Sequence, residues 1–239
     1  MAGCWALFAA VLPLHLLSKL LFGRSRWPSW FLKAVAWILG ARTRVVGRRP
    51  APHTLLVANH VSWFDILLLG GSLKSAFVAK DELGLGFLHW LADQNATIYV
   101  SRSNRRGAKD QAVTIARALE GEQPVSVFPE GTTGTGTHLL PFRSTLLEAP
   151  HMAGSDVQVR PVAIDYGDAR GAVAWFEEPG KTNVIRLLRR PGTIDVTIHL
   201  LDALDAGLDR KKLTEGAEKA IAATLGFKSP PHSPIAARE

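Results

Sequence analysis

Residues 54–69, T-L-L-V-A-N-H-V-S-W-F-D-I-L-L-L, run from one apolar stretch through a short polar break into another. The first, residues 54–58, has the length and composition of a buried strand, and the second opens a helix near Ser62 that runs to Leu69. The same alternation recurs along the chain. Residues 44–47, 76–79, 97–100, 125–128 and 157–164 read as strands. Residues 193–200, T-I-D-V-T-I-H-L, alternate strictly and read as a half-exposed strand. Helical patterns lie at 85–92, 105–120 and 210–225, the second stopped by Gly121. Strands alternating with helices predict an α/β fold with a largely parallel central sheet flanked by helices. No internal repeat is visible.

Three strand runs end in unusual polar residues: Asn59-His60, Ser101-Arg102 and Pro129-Glu130-Gly131. In open α/β sheets ligands bind at the carboxyl ends of the strands, so these groups should converge on one crevice. His60 and Asp65 form H-x-x-x-x-D, a spacing that means little alone, since His151 and Asp156 match it too. Context separates the two: His60 ends a strand and opens a helix, whereas His151 follows Pro150 in a loop and reads as a surface residue. A histidine at a helix start meets positive potential, which disfavours its charged form. A carboxylate on its second nitrogen would fix the tautomer and stabilise the imidazolium formed when the ring accepts a proton. Asp65 has a purely structural reading as well, because Ser62-Trp63-Phe64-Asp65 fits a capping box.

Arg102, Arg105, Arg106 and Lys109 are either a solvated helix face or a phosphate site. Cations at a helix start are mildly unfavourable unless an anion joins them, and Arg102 is the choice for direct phosphate contact. Residues 131–138, G-T-T-G-T-G-T-H, have phosphate-loop glycines but lack the lysine, which excludes nucleotide hydrolysis. Amides around Gly131 and the hydroxyls of Thr132 and Thr133 are candidates for an acceptor head group or an oxyanion, against the alternative of a plain turn.

Composition narrows the partners. A net charge of +7 implies anionic ones, whether nucleic acid, bilayer or phosphorylated substrate. Trp5, Trp27, Trp30 and Trp37 lie among apolar stretches beside Arg24, Arg26, Lys33, Arg42 and Arg44, which favours a membrane interface over nucleic acid. Residues 5–22 approach the length of a bilayer span but contain Pro13, His15 and Lys19, and the apolar stretch 30–40 is too short to cross. Either the first segment spans once, with the basic residues 24–26 on the cytoplasmic side, or both segments dip into one leaflet. The start M-A-G-C lacks the basic region of a cleaved signal. The expected organisation is anchoring helices over 1–40, a catalytic domain over 41–226 and a Pro-rich mobile tail over 227–239. The lone Cys4 rules out an internal disulfide, and its apolar surroundings rule out a catalytic thiolate. No Cys/His spacing suits a metal.

Four ordered blocks resemble those of the glycerolipid acyltransferases, and of the 1-acylglycerol-3-phosphate acyltransferase branch in particular. They are N-H-V-S-W-F-D (59–65), Y-V-S-R (99–102), F-P-E-G-T-T (128–133) and V-R-P-V (159–162). The resemblance implies a membrane enzyme, with a two-helix motif at the cytoplasmic face. It would move an acyl group from acyl-CoA or acyl-carrier protein to 1-acylglycerol-3-phosphate, with no metal or bound cofactor. It implies His60 as general base with Asp65 as its orienting partner. Arg102 would bind the phosphate, Glu130 and Gly131 would contact the acceptor, and Pro161 would sit in the block linked to acyl-donor handling. Asn59, Thr132 and Arg143, the last similar to a basic residue common after the third block, complete the candidate substrate-binding residues. Asn95-Ala96 departs from the glycine that the family often has before the second block. Two further readings stay open: another lyso-acceptor such as lyso-ornithine lipid, and a non-catalytic lipid-binding protein.

Overall fold

The computed structural model describes residues 2–23, 25–80, 86–100, 105–154, 157–205 and 207–228. Two helices come first, α1 (Ala2–Phe22) and α2 (Trp27–Ile38). There follow β1 (Ala41–Val46), β2 (Thr54–Ala58), α3 (Phe64–Leu73), β3 (Ala76–Lys80), α4 (Phe87–Gln94), β4 (Ile98–Val100), α5 (Arg105–Leu119) and β5 (Val125–Val127). The chain continues through α6 (Ala149–Met152), β6 (Gln158–Asp165), α7 (Arg170–Val173), α8 (Gly180–Arg189), β7 (Ile194–Leu200) and α9 (Arg210–Leu225).

The seven strands form one sheet in the order β1-β7-β6-β2-β5-β3-β4. Every neighbouring pair is parallel except β6 with β7. The expected largely parallel α/β sheet is therefore what forms, and all seven sequence-read strands are present. The reversal at β7 was not foreseen, and it turns β1 and β7 against the other five. The carboxyl ends of β2 to β6 consequently share one edge.

β2 lies at the centre and is buried along its whole length. Because side chains alternate across a strand, its residues divide between two cores. Leu56 and Ala58 join Phe64, Leu68 and Leu69 of α3 on one face. Leu55 and Val57 join Ile115 and Leu119 of α5 and Leu213 of α9 on the other. Each such large apolar side chain, taken out of water, contributes about 1.5–3 kcal/mol. Cover on both faces explains why the strand is apolar from Leu55 to Ala58. α3 starts at Phe64 rather than Ser62, since residues 62–65 first close a turn through Asp65 N donating to Ser62 O at 3.0 Å. α8, with Asn183 and Leu187 buried on an otherwise basic and exposed helix, was not read from the sequence.

α1 is long and apolar enough to cross a membrane by length and composition. It is not detached from the rest. The Phe8 ring meets Phe31 of α2 at 5.9 Å and Trp90 of α4 at 6.1 Å. His15 is buried, with Nδ1 2.9 Å from Ser25 Oγ and Nε2 2.9 Å from Gln94 Oε1. α2 in turn sits directly on α3. A Cβ added at Gly70 would lie 2.6 Å from Leu32 Cδ1, and one at Gly71 would lie 2.6 Å from Lys33 N and 2.7 Å from Lys33 Cα. The second contact is backbone against backbone, so a side chain there forces the helices apart.

In an open helix Gly→Ala gains about 1 kcal/mol of helix propensity. Gly71→Ala should instead destabilise the chain by about 1–3 kcal/mol through overpacking, read as a lower denaturation midpoint in detergent. A raised midpoint would refute the close seam between α2 and α3.

Candidate active site

His60 leaves the carboxyl end of β2, and Asp65 lies in the first turn of α3. His60 Nδ1 is 2.8 Å from Asp65 Oδ2. The same oxygen accepts from the amides of Val61 at 2.7 Å and Ser62 at 2.9 Å. Asp65 Oδ1 accepts from the hydroxyl of Tyr166, just beyond β6. The two sequence readings of Asp65 are thus compatible: one oxygen closes the turn before the helix and holds the imidazole. Asp65 is fully buried, whereas the His60 side chain stays 16% exposed. Donation from Nδ1–H to a carboxylate fixes the tautomer and leaves Nε2 as a lone-pair acceptor. Among the described residues Nε2 meets no hydrogen-bond partner.

Phe128, at the end of β5, stacks on the imidazole with centroids 4.0 Å apart and planes 15° apart. Phe77 continues the column at 6.2 Å and 8°. The stack fixes the plane of the ring while Asp65 fixes its rotation. Tyr166 is buried, and burial together with the Asp65 charge pushes its hydroxyl well above the usual phenol range, so it remains a donor.

Glu130 lies inside the site rather than on its surface. Its Oε1 accepts from His60 N at 2.7 Å and its Oε2 from Leu140 N at 2.9 Å. His60 O in turn accepts from Gly134 N at 2.9 Å. The loop after β5 is thereby tied to the loop after β2 through His60's own backbone. Burial pushes the Glu130 carboxyl up to about 7, against the lowering effect of its two amide bonds and with help from the charges of Asp65 and Glu218.

The structure brings His60, Asp65, Asn59 and Glu130 together. Asn59 is buried and uses its amide on the backbone of β6, accepting from Ile164 N at 2.8 Å and donating to Ile164 O at 3.1 Å. Gly131 takes a positive φ of 74°, and its amide closes a turn onto Phe128 O at 3.0 Å. Thr132 is exposed beside it. The Thr133 hydroxyl donates to Trp175 O at 2.5 Å. Arg143 has an exposed side chain and donates its backbone N–H to Pro129 O at 2.9 Å. Pro161 is buried within β6 opposite Val57, away from the strand's end. Arg102 lies outside the described residues. It follows β4, whose carboxyl end shares the edge of β2 and β5. His151 is exposed and bonds Leu208 O at 2.9 Å. Ala96 has a positive φ of 55°, the conformation glycine takes freely, which gives the glycine departure a physical meaning.

Two residues of this site were missed in sequence. Tyr166 stands 101 positions from Asp65, and only its place at the end of a strand run could have drawn attention to it. Phe128 reads as one more apolar strand residue.

A family model described as Acyltransferase matches residues 42–165. A lyso-ornithine lipid O-acyltransferase of Rhodobacter capsulatus is 35% identical over 80% of this chain and 73% of its own length. One from Brucella abortus is 32% identical over 94% and 91%. A 1-acyl-sn-glycerol-3-phosphate acyltransferase of Neisseria gonorrhoeae is 37% identical over 52% of this chain and 49% of its own. The crystal structure of the Thermotoga maritima 1-acyl-sn-glycerophosphate acyltransferase superposes with a TM-score of 0.62 at 22% identity, covering 95% of each chain.

Two outcomes follow from this geometry. A carboxyl raised on folding gives stability that is complete below the unfolded value near 4.5 and is lost as pH rises through about 7. The stability of the wild type relative to Glu130→Gln should therefore fall by roughly 3 kcal/mol between about pH 4 and pH 8 in denaturant titrations. A constant gap would mean that Glu130 titrates alike in the folded and unfolded chain. Tyr166→Phe removes one donor to a charged acceptor and should lower stability by about 1.5–3 kcal/mol, as well as loosening the His60–Asp65 pair. An unchanged denaturation midpoint would show that the hydroxyl carries no weight.

Proposed function

The chain belongs to the acyltransferase family, and from that premise we propose that it esterifies the free hydroxyl of a lyso-lipid with an acyl group from a thioester, acyl-CoA or acyl-carrier protein. The observation that carries the mechanism is the His60 Nδ1 to Asp65 Oδ2 contact of 2.8 Å with Nε2 left open. The acceptor hydroxyl gives its proton to Nε2 as its oxygen attacks the thioester carbonyl. Asp65 supports the imidazolium that results. When the tetrahedral intermediate collapses, the C–S bond breaks and the proton passes from His60 to the leaving thiolate. The ester C–O bond is the bond gained. No serine nucleophile and no metal enter this sequence of steps.

Lyso-ornithine lipid is the acceptor we favour. The relatives named for it match across 73% and 91% of their own length, including regions outside the 42–165 core. A second reading, 1-acylglycerol-3-phosphate, draws on the relatives named for that acceptor and on Arg102, a guanidinium suited to a phosphate. Whichever acceptor is used reaches the site from a bilayer. α1 and α2 expose Trp5, Leu20, Phe22, Trp30 and Trp37, an apolar surface that a leaflet would cover. Because α1 and α2 are packed against α3 and α4, we place both helices in one leaflet with the crevice at its surface.

The test pairs chemistry with selectivity. In proteoliposomes with labelled acyl-CoA, His60→Ala should lower kcat by about 10²–10⁴-fold. Equal acylation by wild type and His60→Ala with every acceptor would end the mechanism. Arg102→Ala should leave lyso-ornithine lipid acylation nearly unchanged, while it should raise KM sharply if 1-acylglycerol-3-phosphate is the acceptor.

A further inference from the structure

A cavity of about 430 Å³ opens between α2, α3 and β1, apart from the His60–Asp65 crevice. This is within the range of about 300–1,000 Å³ usual for small-ligand sites. Its lining is divided by chemistry. Lys33, Arg42 and Arg44 supply three cations, and among the described residues no carboxylate lines it. Trp37, Leu67 and Leu68 supply an apolar wall. Arg42 is held in place: its guanidinium lies 5.0 Å from the centroid of the Trp37 ring, and its Nη1 donates to Ala41 O at 3.0 Å and Trp37 O at 3.3 Å.

The location restricts what can enter. Trp37 is exposed on α2, as is Trp30, on the surface read above as facing lipid. Lys33, Arg42 and Arg44 are exposed as well. A basic recess beside apolar and aromatic side chains has the chemistry of a phosphate joined to acyl chains. Guanidinium and ammonium groups meet the phosphate, and the wall of Trp37 and Leu67 meets hydrocarbon. A soluble phosphate would satisfy only half of this lining. The acceptor of the reaction is excluded as well, since none of His60, Asp65, Phe128 and Glu130 lines the cavity, and a molecule held there is not presented to the imidazole.

We infer that this cavity binds one anionic phospholipid of the host bilayer as a resident lipid, separate from the acceptor. The inference rests on the reading that α2 lies in the leaflet, but it does not require acyl transfer. The lipid would sit against the seam where α2 meets α3, the helix that carries Asp65.

The test uses the full chain bearing His60→Ala, so that retention is read without turnover. Native mass spectrometry would follow its release from phosphatidylcholine nanodiscs containing phosphatidylglycerol. One phosphatidylglycerol per chain should be retained. Lys33→Gln/Arg42→Gln/Arg44→Gln should abolish retention, and Arg44→Gln alone, at an exposed and structurally mild position, should weaken it about ten-fold. The control Lys181→Gln/Arg189→Gln, which neutralises exposed cations of α8, should retain the lipid. Four results would each overturn the inference: equal loss in the control, undiminished retention in Arg44→Gln, equal retention of phosphatidylcholine, or displacement by soluble glycerol 3-phosphate. An inactive wild type that still retained the lipid would overturn the proposed chemistry and leave this site standing.

Discussion

One carboxylate oxygen, Asp65 Oδ2, receives the imidazole of His60 and two successive backbone amides. That convergence obliges residues 60–65 to take a single path from strand to helix. An unpaired buried carboxylate would cost several kcal/mol, so the turn, the ring and the helix start must form together. Tyr166 adds a donor on the remaining oxygen from the end of β6. Two segments a hundred residues apart are therefore joined by one side chain that never touches water.

The sheet makes the convergence possible. β5 and β6 flank β2 in parallel, so the three strands deliver Phe128, Tyr166 and His60 to the same edge. Glu130 then carries the connection sideways, accepting from His60 N and Leu140 N. The imidazole is fixed through its ring, its plane and its own peptide group. For the general base proposed here this matters, since catalytic effectiveness depends on the nitrogen being aimed before the substrate arrives.

Much of this was legible in residues 54–69, because a fully apolar strand feeding a polar break and a helix has few structural solutions. The seven strands were readable for the same reason, being short apolar runs between turn residues. The pairing of His60 with Asp65 was readable because it is local. Glu130 was expected in the same crevice, but its partners were not readable. A carboxylate before a glycine-rich loop reads as a substrate contact, and only coordinates reveal that backbone amides take both its oxygens. Tyr166 and the reversed strand β7 depend on long-range pairing, which leaves no periodic trace in sequence. Ala96 is the converse case: the sequence marked a departure, and its φ of 55° supplies the reason that glycine would suit the position.

The glycine pair at 70 and 71 has a practical consequence for anyone wishing to handle this protein in water. With Lys33 backbone resting on bare helix backbone, removing the first forty residues would uncover the glycine face of α3. Leu67 and Leu68, which line the cavity against α2, would lose part of their cover, and so would Trp90 where Phe8 had lain. A trimmed version made for solubility would exchange one apolar surface for another. The better course is to keep the two leading helices and polish their outward-facing residues.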